Sequence, residues 1–415
     1  EWLPRADHYR LGRSLGERFT WYAHSHAGYA NLITDPLPPP GTQPPQSPLE
    51  WETDTTGTRY DSRSGVRAAT RQEIDLPFAL GPTKFTPYLL GEAAYWGEDR
   101  DGNEATRLYG QVGIRSSLPM WTANPTVQSP LFNVNGLAHK VSFDTELFYA
   151  DADQNLDRFP LYDPLNDDSV EQFERMFIAN RFAGVRPTRF DPRQFALRSG
   201  MQSWVTGPTE IADDLTVFNA SVRQRLQTKR GMPGNERVVD WITLDVGATL
   251  FPEADRDNFG SEVGLINYDF RWFLGDRLTL LSDGYADMFG DGLQEYTIGA
   301  LISRPEFGNA YLGFRNIDGP FSSSVLTGSV SYRMSEKWIV TASGSFDFGP
   351  TGNIGQTVAI TKLGESFLVR AGVNIDVGRG NVGAVFSIEP RFLPRSRLGM
   401  VGGVQIPPAG ARGIE

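Results

Sequence analysis

Residues 367–377 read Phe-Leu-Val-Arg-Ala-Gly-Val-Asn-Ile-Asp-Val, and the pattern of this stretch decides the fold. Its odd-numbered positions are all apolar, while most of its even-numbered positions are polar or very small. Side chains of a β-strand alternate between two faces, so the stretch predicts a strand with one apolar face and one polar face. The same alternation recurs along almost the whole chain, with short turns between the copies.

Alternating segments of this kind predict about 17 strands. They lie at residues 19–32, 64–79, 84–97, 105–121, 138–151, 193–206, 214–229, 237–251, 262–274, 277–288, 293–304, 309–317, 321–334, 337–348, 353–363, 366–378 and 381–392. Several links are so short that they force adjacent antiparallel pairing, namely Gly275-Asp276, Ser335-Glu336, Gly364-Glu365 and Gly378 to Gly380. We expect one domain over 1–415, interrupted by a Pro-rich loop at 34–58 and a long loop at 152–192 with a short helix at Ser169–Phe177, and ending in a tail at 393–415.

Composition narrows the function classes. The 415-residue chain has a net charge of −11, a mean hydropathy of −0.34 and no cysteine. The acidic balance disfavours a nucleic-acid partner, and the absence of cysteine excludes thiol catalysis, disulfides and cysteine-ligated zinc. No apolar run of about 18 residues occurs, which excludes transmembrane helices. It does not exclude a membrane barrel, because the hydropathies of its alternating apolar and polar residues average to a neutral value.

The length of the segments favours a membrane barrel over a soluble sheet. Many run to about a dozen residues, close to the 9–11 that cross a bilayer when tilted. Lipid would cover the apolar face, and closure would remove the sheet edges. The sequence therefore predicts an all-β, antiparallel up-and-down transmembrane β-barrel with about 16–18 strands in this chain. Aromatic residues near strand ends would form interfacial girdles: Tyr95, Trp96, Trp121, Tyr149, Trp204, Trp241, Trp272, Phe273, Tyr285, Tyr332 and Trp338.

Charged side chains recur on the polar face of many strands, which predicts a hydrated lumen. The positive members of this inner face are Arg67, Arg71, Arg115, Arg223, Arg225, Arg271 and Arg370. Acidic residues share the same face, namely Glu73, Asp75, Glu92, Asp144, Glu146, Asp245 and Asp376.

Catalytic and metal-binding signals are weak, and the sequence predicts neither an enzyme nor a cofactor. The G-x-S-x-G string at Gly12–Gly16 lacks the strand and helix of a nucleophile elbow. His24 and His26 share one strand face, without a nucleophile in the pattern. Acidic loops offer only weak divalent-ion binding, and none matches a complete EF-hand; their residues are Asp99, Asp101, Asp151, Asp153, Asp163 and Asp167.

Three stretches carry a resemblance to a known family. They are residues 91–121, which include Gly-Glu-Ala-Ala-Tyr-Trp and Ser-Leu-Pro-Met-Trp, the loop Leu-Tyr-Asp-Pro-Leu-Asn-Asp-Asp at 161–168, and the final strand Val-Gly-Ala-Val-Phe-Ser-Ile-Glu at 382–389. The chain resembles the LptD family of outer-membrane lipopolysaccharide-assembly proteins, also called organic solvent tolerance proteins, and its divergent, planctomycete-like members. The resemblance spans most of 60–392 and concerns the C-terminal barrel.

The resemblance implies an outer-membrane protein of a Gram-negative, planctomycete-like bacterium that inserts lipopolysaccharide into the outer leaflet. Its implied partners are membrane lipid, lipopolysaccharide, a plug lipoprotein and periplasmic bridge proteins. The inner arginines would contact lipopolysaccharide phosphates, because guanidinium groups bind phosphate bidentately. The last strand would form one lip of a lateral opening, through Val382, Ala384, Phe386, Ile388 and Pro390.

The chain departs from the family in having no recognisable jellyroll, too few strands and no cysteine. Together with an odd strand count, these departures lead us to expect a C-terminal portion of a longer barrel or a reduced relative. The start at Glu1-Trp2-Leu3-Pro4 predicts a mature chain or a fragment, with any targeting segment removed. Two other functions remain open: a general or substrate-specific porin that acts as a passive channel, and a soluble β-rich binding protein.

Overall fold

A computed structural model describes residues 1–33, 62–162, 192–198, 213–232, 234–289, 292–319, 322–349, 352–377, 380–390, 400–401 and 404–405. The Pro-rich loop at 34–58, the helix predicted at Ser169–Phe177, and most of the tail at 393–415 lie outside these residues. Within the described residues, no helix is long and apolar enough to cross a membrane.

In the part of the chain that the structure describes, the architecture is all-β, with 18 strands in one sheet of antiparallel up-and-down neighbours. The strands are β1 (Trp2–Leu15), β2 (Phe19–Ile33), β3 (Ser62–Asp75), β4 (Phe78–Leu80), β5 (Thr83–Trp96), β6 (Ala105–Ser129), β7 (Val134–Ala152), β8 (Leu215–Arg230), β9 (Arg237–Leu250), β10 (Val263–Leu274), β11 (Leu278–Asp287), β12 (Gln294–Arg304), β13 (Gly308–Asp318), β14 (Ser323–Ser335), β15 (Trp338–Asp347), β16 (Asn353–Leu363), β17 (Phe367–Asp376) and β18 (Asn381–Pro390). A separate two-stranded ladder joins β19 (Met400–Val401) and β20 (Val404–Gln405). The predicted fold class is confirmed in its all-β, antiparallel, up-and-down character.

Helices are few in the described part of the chain: a 3₁₀ turn at Leu156–Arg158, α1 (Pro192–Arg198) and α2 (Ala254–Asp257). The strand predicted at 193–206 is wrong at its start, because α1 occupies those residues. Proline is favoured at the first position of a helix, where its missing N–H costs no hydrogen bond, so Pro192 marks this beginning. Strand β1 was missed, since the charges of Arg5, Asp7, Arg10 and Arg13 obscure its alternation.

The segment predicted as one strand at 64–79 is confirmed, with an interruption. β3 pairs with β5 as far as Asp75 opposite Tyr88, and β4 resumes on the same partner with Phe78 opposite Phe85. Pro77 separates the two, and proline cannot donate a backbone hydrogen bond to a sheet. β3 and β4 therefore occupy the place of one long strand along β5.

Two compact units divide the chain. The first contains Glu1–Met120, Ser142–Val222 and Gly247–Ile266, and the second contains Trp121–Val141, Arg223–Val246 and Asn267–Glu415.

In the first unit, burial is inverted relative to a soluble protein. Val66 on β3 is 52% exposed while the next residue, Arg67, is 0% exposed. On β6, Leu108 is 62% exposed while Arg107 is 0% exposed. Strand alternation thus places the apolar side chains outside and the charged ones inside, as the sequence predicted.

The second unit shows the same outward face with a different inner one. The exposed apolar residues of β12, β13, β14, β16 and β17 include Ile298, Leu312, Val330, Val358 and Val373. The inner positions of these strands carry mostly small hydroxyl and amide side chains. One directly paired row crosses five strands and consists of Tyr311, Ser329, Ser343, Thr357 and Asn374.

Candidate functional site

A buried charged cluster occupies the inner face of β3, β5 and β6. Glu92 is its centre: an Arg71 amino nitrogen lies 2.7 Å from Glu92 Oε2, and Arg107 lies 3.3 Å from Glu92 Oε1. The guanidinium of Arg67 stacks 3.8 Å from the centroid of the Trp96 ring. One carboxylate thus serves two arginines, while the indole face supports a third, so three positive side chains meet around Glu92 in the described part of the chain.

Aromatic side chains separate this cluster from water. The rings of Trp96 and Phe159 stack at 4.0 Å, and the Arg107 guanidinium lies 5.2 Å from each of the two rings. Phe159 follows the 3₁₀ turn, so the start of the long loop reaches back over the inner face. The prediction that Trp96 belongs to an interfacial girdle is therefore wrong, because Trp96 lies on the inner face and is fully buried.

A second cluster surrounds Arg115 on β6. Its guanidinium contacts Glu73 at 2.7 Å, Glu146 at 2.9 Å and Asp75 at 3.6 Å, and it lies 3.8 Å from the centroid of the Tyr88 ring. Three carboxyl groups facing one arginine give this cluster an acidic excess. The first unit therefore carries a positive and a negative cluster along the same inner face.

A tyrosine–glycine pair fixes the second cluster. Tyr88 donates to Glu146 at 2.9 Å and accepts from Gln111 at 2.7 Å. Gly113 is the direct cross-strand partner of Tyr88, and a Cβ at Gly113 would lie 2.6 Å from the Tyr88 ring. The missing side chain lets the ring lie flat across the strand.

The other predicted arginines lie in the second unit. Arg223, Arg225 and Arg271 are exposed. Arg225 lies 3.5 Å from Asp240, and Arg271 lies 3.0 Å from Asp269. The predicted arginines thus differ in their surroundings: Arg67, Arg71 and Arg115 belong to the two clusters of the first unit, while these three are exposed.

Arg370 lines a cavity of about 330 Å³ in the second unit. The cavity wall is mainly hydroxyl and amide groups from β13 to β16, including Asn309, Ser329, Thr341 and Thr357. Such groups offer both donors and acceptors, so the wall suits uncharged polar solutes, and Arg370 adds one positive charge.

The acidic loops have structural partners. Asp99 accepts the backbone N–H groups of Asp101 and Asn103 at 3.0 and 2.9 Å, and its other oxygen contacts Arg158 at 3.0 Å. Asp153 accepts the Leu108 N–H at 2.9 Å. These bonds account for Asp99 and Asp153 as loop-fixing residues. Two predicted members, Asp163 and Asp167, lie outside the described residues, and ion binding at Asp101 and Asp151 stays a prediction.

The predicted gate strand β18 pairs with β17 along its whole length, from Asn381 opposite Asp376 to Pro390 opposite Phe367. Its even-numbered residues lie on the outward face, where Val382, Phe386 and Ile388 are exposed and are joined by Ala384 and Pro390. The gate role of this strand stays a prediction.

The sequence prediction missed Arg107 and the tyrosine–glycine pair. Alternation does place Arg107 on the inner face, because Leu108 beside it faces outward. Alternation does not predict the β5–β6 register, which sets Arg107 opposite Ala94 and brings it near Glu92.

No family model matches the chain, and no curated protein matches it significantly. Among solved structures, a substituted variant of the porin of Rh. blastica aligns at 10% identity and a TM-score of 0.30, over 90% of this chain and 99% of the porin. FpvA of P. aeruginosa, solved with a pyoverdine–iron complex, aligns at 10% identity and a TM-score of 0.24, over 91% of this chain and 56% of FpvA. Because these TM-scores are low, the function proposed below is based on the geometry of the chain itself.

Proposed function

We propose that the chain is an outer-membrane β-barrel that acts as a passive channel for small polar solutes. The observation that carries the proposal is the inverted burial. Apolar side chains such as Leu108 and Val358 point outward from long strands, while their neighbours Arg107 and Thr357 point inward. Water is a poor environment for a continuous apolar strand face, and lipid is a good one.

The two inner faces have different roles in this proposal. In the first unit, Arg71 and Arg107 are bound by Glu92, so their charge is already engaged. In the second unit, the hydroxyl wall around Arg370 has open volume. Solutes therefore contact the inner face of the second unit, while the charged clusters make the inner face of the first unit rigid.

Conductance across planar lipid bilayers tests the channel. We expect stable conductance steps from the purified chain, and a shift of selectivity toward cations on Arg370→Glu, since this replacement reverses the one charge on the cavity wall. Lys362→Glu is the matched control: Lys362 lies 5.8 Å from the Trp338 ring and outside the cavity lining, so it should leave selectivity unchanged. Absence of conductance steps from protein with native-like heat-modifiable migration would contradict the channel.

Lipopolysaccharide insertion is the second candidate, and the outward apolar face of β18 favours it. In this version Val382, Phe386 and Ile388 border a lateral exit for acyl chains, with a plug lipoprotein and periplasmic bridge proteins as partners. The buried pairing of Arg71 with Glu92 counts against phosphate binding at that cluster, which is why the channel is preferred. Depletion in the native host separates the two: a loss of surface lipopolysaccharide supports insertion, whereas normal lipopolysaccharide with slower solute uptake supports the channel.

A further inference from the structure

The β1–β2 hairpin brings together three side chains that are typical metal ligands. β1 and β2 pair with Asp7 opposite His26 and Tyr9 opposite His24. His24 and His26 are two residues apart on β2, so both project from the same face. Each of these histidines is only 5% exposed.

Their donor atoms converge. One ligand atom from each of Asp7, His24 and His26 lies within 4.8 Å of the others, and His24 Nε2 is 2.9 Å from Asp7 Oδ1. Zinc binds imidazole nitrogen and carboxylate oxygen at about 2.0–2.2 Å, so two ligands of one ion lie about 3 Å apart. The Asp7–His24 pair already has this spacing, and His26 needs to approach by at most about 2 Å.

The burial of His26 also leaves its polar atoms unsatisfied. Neither of its ring nitrogens has a hydrogen-bond partner among the described residues, although both nitrogens are buried, and the same holds for His24 Nδ1. A buried polar atom without a partner is unfavourable, because it has lost its hydrogen bonds to water and gained none in the protein. Coordination to an ion would satisfy one His26 nitrogen.

Neighbouring residues hold the ligands in place. The ring of Tyr9 stacks on His24 at 4.2 Å and 5°, and Trp2 meets His26 edge-on at 5.7 Å. Arg5 Nε donates to Asp7 Oδ2 at 2.9 Å, while Oδ1 faces His24. Arg5 also donates a second hydrogen bond, to Asp7 Oδ1 at 3.0 Å, and coordination of an ion by Oδ1 would replace this bond. The bond from Arg5 to Oδ2 would remain and orient the carboxylate.

We propose that Asp7, His24 and His26 form a binding site for a divalent transition-metal ion. Two imidazoles and one carboxylate suit zinc and the neighbouring late first-row ions, and are poor ligands for calcium or magnesium. Three protein ligands leave a position for water or a further ligand. The site lies on the inner face of the hairpin and is independent of the conductance proposed above.

Metal titration of the full chain tests the site. The protein is purified without a polyhistidine tag, folded in detergent micelles, and titrated with Co²⁺, whose visible ligand-field band reports coordination; Zn²⁺ is then added as competitor. We expect one Co²⁺ per chain, displaced by Zn²⁺. His26→Asn should weaken binding by at least about 10–100-fold, the range already reached when only an outer-shell partner of a ligand is lost.

His8→Asn is the matched control, because His8 belongs to the same hairpin, pairs with Ser25 and alternates to the opposite face from Asp7. It should bind Co²⁺ as the unsubstituted chain does. Equal affinity in His26→Asn, or an equal loss in His8→Asn, would overturn the proposal, as would the absence of saturable binding in the unsubstituted chain. If His26→Asn fails to fold, His24→Asn takes its place, and the unsubstituted chain alone still decides the stoichiometry.

Discussion

Glu92→Gln is the sharpest test of the buried cluster. The Glu92 side chain is 0% exposed, and its two partners Arg71 and Arg107 are 1% and 0% exposed. Glutamine has almost the same shape, but it presents one oxygen and one N–H₂ group where the carboxylate presents two acceptors. One arginine would then face a donor, and Arg71 and Arg107 would lose the carboxylate that they share.

The expected cost follows from that burial. Removing one partner of a buried ion pair leaves an uncompensated charge and destabilises by about 3–5 kcal/mol. Tryptophan fluorescence during urea unfolding in lipid vesicles measures this loss, with Trp96, which contacts Arg67 and Arg107, as a reporter.

Glu295→Gln is the control for this measurement. Glu295 also pairs with an arginine, Arg315, but at 3.9 Å and with 23% and 53% side-chain exposure for the two residues. An exposed pair of this kind contributes at most about 1 kcal/mol. If the two variants lose the same stability, or if Glu92→Gln loses under about 1 kcal/mol, burial of the charge is not what makes Glu92 important.

Three further outcomes are expected from the same unfolding assay. Val358→Arg should lower the unfolding free energy by about 2–4 kcal/mol in lipid, because it puts a charge on the outward face. Thr357→Arg, on the inward face, should be tolerated, and equal losses in the two variants would contradict the assigned faces. Gly113→Ala should destabilise the protein by about 1–3 kcal/mol through overpacking, because its Cβ would lie 2.6 Å from the Tyr88 ring. In a chain that already carries Tyr88→Ala, the same substitution should lose most of this effect. Burial raises the pKa of Asp213, in the loop before β8, from 3.8 to about 6, so the stability it contributes is fully present below about pH 4 and is lost as the pH rises through 6. Asp213→Asn should therefore flatten the fall in unfolding free energy across that range, and an unchanged profile would show that another group titrates.

The sequence predicted the strands best where the turns are shortest. From β11 to β18 the hairpins leave one antiparallel solution, and the predicted and observed boundaries agree closely. Prediction fails where charge or proline obscures the alternation: the pattern does not indicate β1, and it predicts a strand where the structure has α1. These two errors offset each other in the strand count, and the division of one predicted strand into β3 and β4 brings the described sheet to 18 strands.

The sites were less predictable than the strands, for a physical reason. Alternation decides which face a side chain occupies, but partners depend on the register between strands. Glu92 and Arg71 could be placed on one face, yet only the β3–β5 pairing sets them directly opposite each other. Asp7 lies directly opposite His26 because a register shift occurs between Leu11 and Arg13, on the side of Asp7 nearer the hairpin turn. Such irregularities leave no reliable trace in a single sequence.

The hydroxyl row of the second unit has a consequence for how this protein can change over evolution. Ser329, Ser343 and Thr357 are short side chains that contribute little to packing, and they border open volume. Replacing any one of them changes the chemistry of the wall without removing the partner of a buried charge. The Glu92 cluster offers no such freedom, since each member depends on the others. Single substitutions in the hydroxyl row of the second unit can therefore change the solute preference, while the Glu92 cluster of the first unit keeps the fold stable.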